Sequence, residues 1–176
     1  MKRADAVPRA HKAQARRAPI AAAIVTASDT RTAADDASGT VLAQGLAAAG
    51  IAVVDRRIAR DDVLALSHAI KAGIAAGADA VLVTGGTGIA PRDVTPEALA
   101  LLGARPLPGF GELFRALSFV EIGTAAMLSR ATAGIVGRTV VFALPGSPGA
   151  CRLALSRLIV PELPHLVAQL KKGTVS

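Results

Sequence analysis

Short apolar segments alternate with longer segments of helical periodicity along the chain. Largely apolar runs at residues 20–27, 51–59 and 79–85 predict three strands, and the first is continuous, as is typical of a strand covered on both faces. Between these runs we predict helices over residues 38–49 and 63–76. This alternation of strands and helices indicates a parallel sheet with right-handed crossovers.

Capping residues mark the predicted starts of the helices. Ser38 can cap the first helix, and either Asp61 or Asp62 can cap the second. Thr95 is predicted to cap a third, short helix with Pro96 at its first helical position, because proline has no N–H to leave unpaired there. The apolar stripe of the second helix is predicted to comprise Leu64, Leu66, Ile70 and Ile74.

The last part of the chain adds a hairpin and further helices. Residues 109–129 are predicted to be helical, and apolar runs at 131–136 and 139–145 predict a hairpin at a sheet edge. One helix or a pair of helices is predicted over 149–170, with an interruption at Pro161.

All these elements fit one α/β domain. We predict a three-layer α/β/α sandwich with a mostly parallel sheet and an antiparallel edge hairpin. A chain of 176 residues is most economically a single domain. We place this domain at residues 19–170, between a basic, disordered N-terminal arm at 1–18 and a C-terminal tail at 171–176.

Most of the excess positive charge lies in the arm. The net charge is +7, but residues 19–176 carry 14 basic and 12 acidic residues and so contribute only +2. Basic arms are more often solvated ends than binding segments. The chain also has no Trp or Tyr on which bases could stack. We therefore predict no nucleic-acid partner.

Three features bear on the cellular compartment. The arm and the apolar run at 20–27 imitate a secretory signal, but cleavage would delete the first predicted strand, so we interpret the run as a strand. Residues 37–54 lack charge but are broken by glycines, so no membrane span is predicted. Cys151 is the single cysteine, which excludes an internal disulfide and fits a reducing compartment. We predict a cytoplasmic protein with Cys151 packed as a small thiol.

Three loops rich in Gly, Ser or Asp each follow a predicted strand. They lie at residues 28–31, 84–88 and 145–149. Loops that follow parallel strands meet at the carboxyl edge of the sheet, where ligands bind in open α/β folds. Small residues let backbone N–H groups approach an anion closely. The three loops therefore predict a phosphate site at this edge, although each alone could be an ordinary turn.

Known nucleotide and nucleophile motifs are absent from these loops. No glycine-rich loop has the spacing of a P-loop or of a dinucleotide fingerprint. Pro145 occupies the position of the first glycine in a nucleophile elbow, so Ser147 is not predicted to be an acyl-transfer nucleophile.

Two carboxylates at the same edge are candidate magnesium ligands. Asp93 follows a glycine-rich turn, and Asp61 or Asp62 follows the second strand, so the pair could share Mg²⁺ with substrate phosphates. The structural alternative is helix capping at Asp61 or Asp62 and an ion pair of Asp93 with Arg92. We predict no zinc site, and His68 on a helix surface, because no ligand spacing relates His11, His68 and His165.

Five segments, in this order, carry a family resemblance. They are SDTR at 28–31, DASG at 36–39, TGGTGIAPRDVTPEA at 84–98, GFGELFR at 109–115 and ALPGSPGA at 143–150. Together they resemble the MoaB and MogA family of molybdenum cofactor biosynthesis proteins, over about residues 18–165. The run at 109–130 is more similar to the MoaB branch.

The resemblance implies a molybdopterin-binding α/β domain that forms a trimer or a dimer of trimers. In active members, molybdopterin and Mg-ATP give adenylylated molybdopterin and pyrophosphate. The family's acidic pair, which is catalytic and binds Mg²⁺, corresponds to Asp93 and to Asp61, with Asp62 as the alternative. We assign phosphate contacts to Gly85, Gly86, Thr87 and Gly88, and pterin or nucleotide contacts to Ser28, Asp29, Gly146 and Ser147.

Adenylylation has two alternatives: a non-catalytic binding or scaffold function, and the later metal-insertion step. Nucleotidyl transfer needs positioning and charge neutralisation rather than a protein nucleophile, which suits these residues. A protein that holds molybdopterin, or acts as a scaffold of the pathway, without turnover would need the same cleft. The later metal-insertion step belongs to larger proteins that share the fold, and the short chain and the sequence Thr87-Gly88-Ile89 argue against it.

Overall fold

The structure is a computed structural model that describes residues 20–172. The predicted arm at 1–18, with His11, and most of the predicted tail lie outside these residues. A six-stranded sheet has the order β2-β1-β3-β6-β5-β4. The strands are β1 Ala21–Ala27, β2 Ala52–Ala59, β3 Ala80–Thr84, β4 Arg105–Pro106, β5 Thr132–Val136 and β6 Thr139–Leu144.

Six α-helices and two irregular helical segments lie between or after the strands in this part of the chain. A 3₁₀ segment covers Gly123–Leu128, and a π segment covers Leu155–Ile159. The α-helices are α1 Ala37–Ala48, α2 Val63–Ala75, α3 Thr95–Leu101, α4 Pro108–Ile122, α5 Pro148–Ala154 and α6 Val160–Lys171.

The sheet is mostly parallel, as predicted. Strands β2, β1, β3 and β6 run in parallel, whereas β5 pairs antiparallel with both β6 and β4. The predicted hairpin is confirmed as β5 and β6. The two-residue strand β4 pairs with the outer side of β5 and forms the edge of the sheet. It was not predicted, because it does not lie in an apolar run.

Both faces of the sheet are covered by helices, which confirms the layered α/β fold. Successive residues of β1 point to opposite sides: Ile24 packs in one core and Val25 in the other. The first core includes Leu42 of α1 and Phe114 of α4, together with residues of α5 and α6. The second core holds residues of α2 and α3, among them Ile70.

Two predicted helix caps are wrong. Asp36, not Ser38, caps α1, because its carboxylate accepts the Gly39 N–H at 2.9 Å while Ser38 already lies in the first turn. Thr95 is the first residue of α3 rather than its cap, and its hydroxyl donates to the Gly85 carbonyl at 2.8 Å. In both cases a partner distant in sequence determines what the side chain does.

Three further expectations are refined by the structure. Asp62 caps α2, accepting the Ala65 N–H at 2.8 Å. Leu64 lies at 60% exposure, outside the apolar stripe predicted for it. The break in the last helical region falls at the π segment just before Pro161, because a proline offers no N–H to the carbonyl four residues earlier.

No helix within residues 20–172 has the length and apolar character needed to cross a membrane.

Candidate functional site

A cleft opens at the carboxyl edge of the sheet, where β3 and β6 end side by side. Its volume is about 360 Å³. It unites the second and third predicted loops with Asp93, but Ser28 and Asp29 of the first loop do not line it. The lining residues are Gly85, Gly86, Thr87, Gly88, Asp93, Ser129, Pro145, Gly146 and Ser147.

Two consecutive glycines turn the chain sharply after β3. Gly85 and Gly86 have φ of +103° and +64°, which side-chain-bearing residues rarely adopt. A Cβ on Gly85 would lie 2.5 Å from the Ala27 carbonyl oxygen, and one on Gly86 would lie 2.5 Å from Oγ1 of Thr95. The turn therefore needs glycine twice, and the absence of side chains leaves backbone open to the cleft.

The third loop packs directly against this turn. A Cβ on Gly146 would lie 3.3 Å from Cα of Gly85. The hydroxyl of Ser38 donates to the Gly146 carbonyl at 2.6 Å, so the first turn of α1 is bonded to the third loop. Ser147 caps α5, with Oγ accepting the Ala150 N–H at 3.2 Å. Ser147 thus lies in the cleft wall but has a structural bond of its own.

Asp93 is held over the glycine-rich turn by its own loop. Its Oδ2 accepts the Ala90 N–H at 2.9 Å, and its N–H donates to the Ala90 carbonyl at 2.9 Å. A Cβ on Gly88 would lie 2.6 Å from Oδ2 of Asp93, so glycine is required there for the carboxylate to occupy this place. The position of the Asp93 carboxylate therefore depends on the absence of a side chain at Gly88.

Asp61 lies on the other side of the glycine turn. Its Oδ1 would be 3.5 Å from a Cβ on Gly86, and its N–H donates to Oδ1 of Asp29 at 3.2 Å. Burial raises the pKa of the Asp61 carboxyl, and the charges of Asp29 and Asp93 raise it further, while Arg92 opposes them. Asp62 is exposed and caps α2, so of the two alternatives only Asp61 faces the turn.

The first predicted loop is arranged beside Asp61. Oγ of Ser28 accepts the N–H groups of Thr30 and Arg31 at 3.2 and 3.1 Å, which closes a turn after β1. Asp29 is half exposed, and its carboxylate lies 3.6 Å from Nε of Arg60. Ser28 and Asp29 therefore flank the acidic side of the site, whereas the cleft itself is built by the two other loops.

Arg130 is a contact that sequence reasoning missed. Its Nε donates to the Gly88 carbonyl at 2.7 Å, Nη2 donates to the Asp93 carbonyl, and Nη1 pairs with the Glu97 carboxylate. That hydrogen bond from Arg130 lowers the pKa of Glu97, while burial opposes the shift. Arg130 follows a predicted helix and ends the family-like run at 109–130, and neither feature pointed to these bonds.

The acidic groups fit magnesium better than zinc. Among residues 20–172, no three or more His, Cys, Asp or Glu side chains are grouped so that they could hold a metal ion. Mg²⁺ needs no such cage, because it commonly takes one or two carboxylates together with substrate phosphates. Asp61 and Asp93, on either side of a loop of backbone N–H groups, suit that arrangement. His68 is exposed on α2, as predicted, and Nδ1 of His165 lies 2.6 Å from Glu162.

Comparisons with known proteins agree on one family. A family model described as "Probable molybdopterin binding domain" matches residues 23–165. Molybdenum cofactor biosynthesis protein B of Bacillus subtilis (strain 168) is 49% identical over 151 residues, which are 85% of this chain and 89% of that protein.

Solved structures give the same result. A crystal structure of molybdenum cofactor biosynthesis protein B has a TM-score of 0.85 and 48% identity, covering 88% of this chain and 98% of that one. The tungsten cofactor synthesizing protein MoaB from Pyrococcus furiosus has a TM-score of 0.79 and 37% identity, covering 87% and 98%.

The resemblance seen in the five sequence segments is thereby confirmed. The family match includes every residue that lines the cleft as well as Asp61. The chain belongs to the molybdopterin-binding domain family of molybdenum cofactor biosynthesis, together with molybdenum cofactor biosynthesis protein B.

Proposed function

We propose that this protein binds molybdopterin and adenylylates it with Mg-ATP, giving adenylylated molybdopterin and pyrophosphate. The observation that carries the proposal is the composition of the cleft. Glycine backbone from two loops forms one wall, Asp93 stands beside it, and Asp61 lies behind Gly86. Such a site can accept phosphate oxygens at backbone N–H groups, and its two carboxylates could hold the Mg²⁺ that would balance the phosphate charge, as phosphoryl-type transfer requires.

The reaction balances without a protein nucleophile. An oxygen of the pterin's terminal phosphate forms a bond to the α-phosphorus of ATP, and the bond from that phosphorus to the bridging oxygen breaks, so pyrophosphate leaves. Gly86, Thr87 and Gly88 would hold phosphate oxygens by their N–H groups. The N–H of Gly85 already donates to the Leu144 carbonyl at 2.9 Å, so Gly85 would contribute through the shape of the turn. Ser28, Asp29, Gly146 and Ser147 would contact pterin or nucleotide. Bound Mg²⁺ would supply neutralisation of the phosphate charge, with Asp61 and Asp93 as its protein ligands.

The raised pKa of Asp61 is consistent with a metal ligand. Burial and the charges of Asp29 and Asp93 make ionisation of the Asp61 carboxyl unfavourable. A cation bound beside it would therefore stabilise its ionised form strongly. Asp61 must be ionised to bind Mg²⁺, so metal binding would release a proton at pH values below its raised pKa.

The test is direct product analysis. The full chain is incubated with molybdopterin, ATP and Mg²⁺, and adenylylated pterin and pyrophosphate are quantified. We expect product from the native chain, none from Asp93→Asn or Asp61→Asn, and near-native product from the matched control Asp62→Asn. Molybdopterin affinity should persist in the first two variants. Tight pterin binding by the native chain without any product would overturn the proposal and favour a non-catalytic binding or scaffold protein.

We also propose that the chain assembles with copies of itself as a trimer or a dimer of trimers. Support comes from apolar side chains on the second half of α4 and the 3₁₀ segment, where Val120 and Met127 are 83% and 77% exposed. Val120→Glu should lower the mass measured by light scattering, whereas the control Leu64→Glu, at an exposed site on α2, should not. An unchanged mass in Val120→Glu contradicts assembly through this face. The other exposed apolar residues there are Phe119, Ile122 and Leu128.

A further inference from the structure

Arg130 joins three separate points of the loop that carries Asp93. Its guanidinium donates to the carbonyl oxygens of Gly88 and Asp93, which are the two ends of that loop. Its own N–H donates to the Thr87 carbonyl at 2.8 Å. One residue therefore fixes where the loop leaves the glycine turn and where it delivers the acidic side chain.

Glu97 completes the arrangement from α3. Its carboxylate pairs with Nη1 of Arg130 and lies 3.4 Å from Nη2. The guanidinium thus has partners at Nε, Nη1 and Nη2, all within the protein, and its charge is offset by that of Glu97. A guanidinium engaged in this way is suited to holding backbone in place rather than to binding a substrate phosphate.

The Asp93 carboxylate depends on the shape of this loop. The carboxylate accepts the Ala90 N–H inside the loop and lies close to Gly88, where there is no side chain in its way. Both contacts would be lost if the two ends of the loop separated. We propose that Arg130, oriented by Glu97, is a positioning residue that sets the Asp93 carboxylate in the cleft. This inference rests on the proposed function for its catalytic consequence, but the loop geometry can be tested independently.

Lysine is the informative substitution at Arg130. Its single ammonium group retains the charge but cannot reach both backbone carbonyls and Glu97 in one plane. Arg130→Lys should therefore loosen the loop and lower kcat about tenfold to a hundredfold, because small misplacements of reacting groups have costs of that order. KM for molybdopterin should rise by a smaller factor than kcat falls, because only Thr87 and Gly88 of the phosphate-binding residues lie in the loosened loop. The Mg²⁺ concentration needed for half-maximal rate should rise. Arg138→Lys, at the exposed hairpin turn, is the matched control.

Glu97→Gln provides a second variant that keeps the side-chain shape. We expect the same changes to a smaller extent. Because the two residues act as a unit, Arg130→Lys should lower kcat less in the Glu97→Gln background than in the native chain. Additive losses would overturn the pairing. If Arg130→Lys does not fold by circular dichroism, Glu97→Gln alone decides the inference by the same measurements.

Hydrogen exchange by mass spectrometry tests the loop without any reaction. A peptide spanning residues 87–94 should exchange faster in Arg130→Lys, with other peptides and the Arg138→Lys control unchanged. Unchanged exchange overturns the inference, and so does faster exchange with native kcat and native Mg²⁺ dependence. If the native chain makes no adenylylated product, the proposed function fails on that result, and exchange at 87–94 alone supports or overturns the positioning role.

Discussion

The hydroxyl of Ser38 donates a 2.6 Å hydrogen bond to the carbonyl oxygen of Gly146, a residue 108 positions later in the chain. Ser38 is buried in the first turn of α1, and Gly146 lies in the cleft wall. A second bond, from the hydroxyl of Thr84 to the Pro145 carbonyl at 3.0 Å, holds the same loop from β3. The position of the third loop is therefore set by two buried hydroxyls.

Ser38→Ala should weaken both the fold and the cleft. Without the hydroxyl, the Gly146 carbonyl loses its donor, and because Gly146 is exposed and water can replace that donor, the cost should be about 0.5–1.5 kcal/mol. We expect a lower urea midpoint and weaker molybdopterin binding, because the loop is free to move away from Gly85. Ser156→Ala, which removes an exposed hydroxyl that donates to the Arg152 carbonyl one turn earlier at 2.8 Å, is the control and should change neither quantity. Native pterin affinity in Ser38→Ala would contradict the role of this bond.

The sequence predicted the parts of the site that are local. One short segment contains Gly85, Gly86 and Asp93, and these residue types by themselves predict a turn there. Arg130 was missed because its partner carbonyl at Asp93 is 37 residues away, and no periodicity connects them.

The wrong cap at Ser38 has the same origin. Asp36 and Ser38 are both good capping residues, so local preference could not separate them. The choice is made by Thr26 and Arg56, which bond the Asp36 carboxylate from β1 and β2 and keep it at the helix end. The layers and the mostly parallel sheet were predictable because they depend on apolar patterning, whereas these side-chain partners depend on the folded sheet.

The two ends of the glycine turn should respond differently to alanine. Gly85→Ala places a Cβ against the backbone oxygen of Ala27 and at φ +103°, so we expect destabilisation of about 1–3 kcal/mol or more. Gly88→Ala meets only the Asp93 carboxylate, which can swing away, so stability should stay near native while product formation falls. Urea unfolding and product analysis separate the two effects.

Gly109→Ala is the control for this pair. A Cβ on Gly109 would meet no atom within 4 Å, and the residue lies in α4, where alanine is the better helix former. Stability should be native or slightly higher. A native rate in Gly88→Ala would show that the close approach to Asp93 has no part in the reaction.

Asp36 should make stability fall in acid. Burial favours its neutral form, but bonds from Gly39 N–H, Arg56 and Thr26 together hold the pKa of this carboxyl below its ordinary value. Because the folded-state pKa is depressed, the stabilisation is present above the unfolded pKa of about 3.9 and is lost as pH falls through the folded pKa. Asp36→Asn should cost about 2 kcal/mol at neutral pH, and its difference from the native chain should shrink below about pH 4.

Asp55→Asn is the comparison for Asp36→Asn. Asp55 pairs with Arg57 at 2.7 Å on the outer strand β2, where Arg57 is 41% exposed. Such a pair contributes at most about 1 kcal/mol. Urea unfolding between neutral pH and pH 3 measures both variants, and equal losses would contradict the special role of the buried carboxylate.

Asp29 should control the pH at which Asp61 ionises. After burial, the charge of Asp29 is the largest cause of the raised pKa of Asp61, with Asp93 adding to it and Arg92 opposing it. Asp29→Asn removes that charge and keeps an oxygen for the Asp61 N–H. The acid limb of product formation should therefore move to lower pH. Because ionising a carboxyl whose folded pKa is raised lowers stability as pH rises through that range, Asp29→Asn should also be slightly more stable at neutral pH.

Two measurements check the effect of Asp29→Asn. The pH profile of kcat/KM for molybdopterin reports it during turnover, and the NMR shift of the Asp61 carboxyl carbon reports it without any reaction. Asp35→Asn is the control, because Asp35 is exposed and its charge is not among those that shift Asp61. Loss of the Asp29 pair with Arg60, at 3.6 Å on the surface, should cost little by itself. An Asp61 titration identical in Asp29→Asn and the native chain would exclude charge repulsion from Asp29, leaving burial as the cause of the raised pKa.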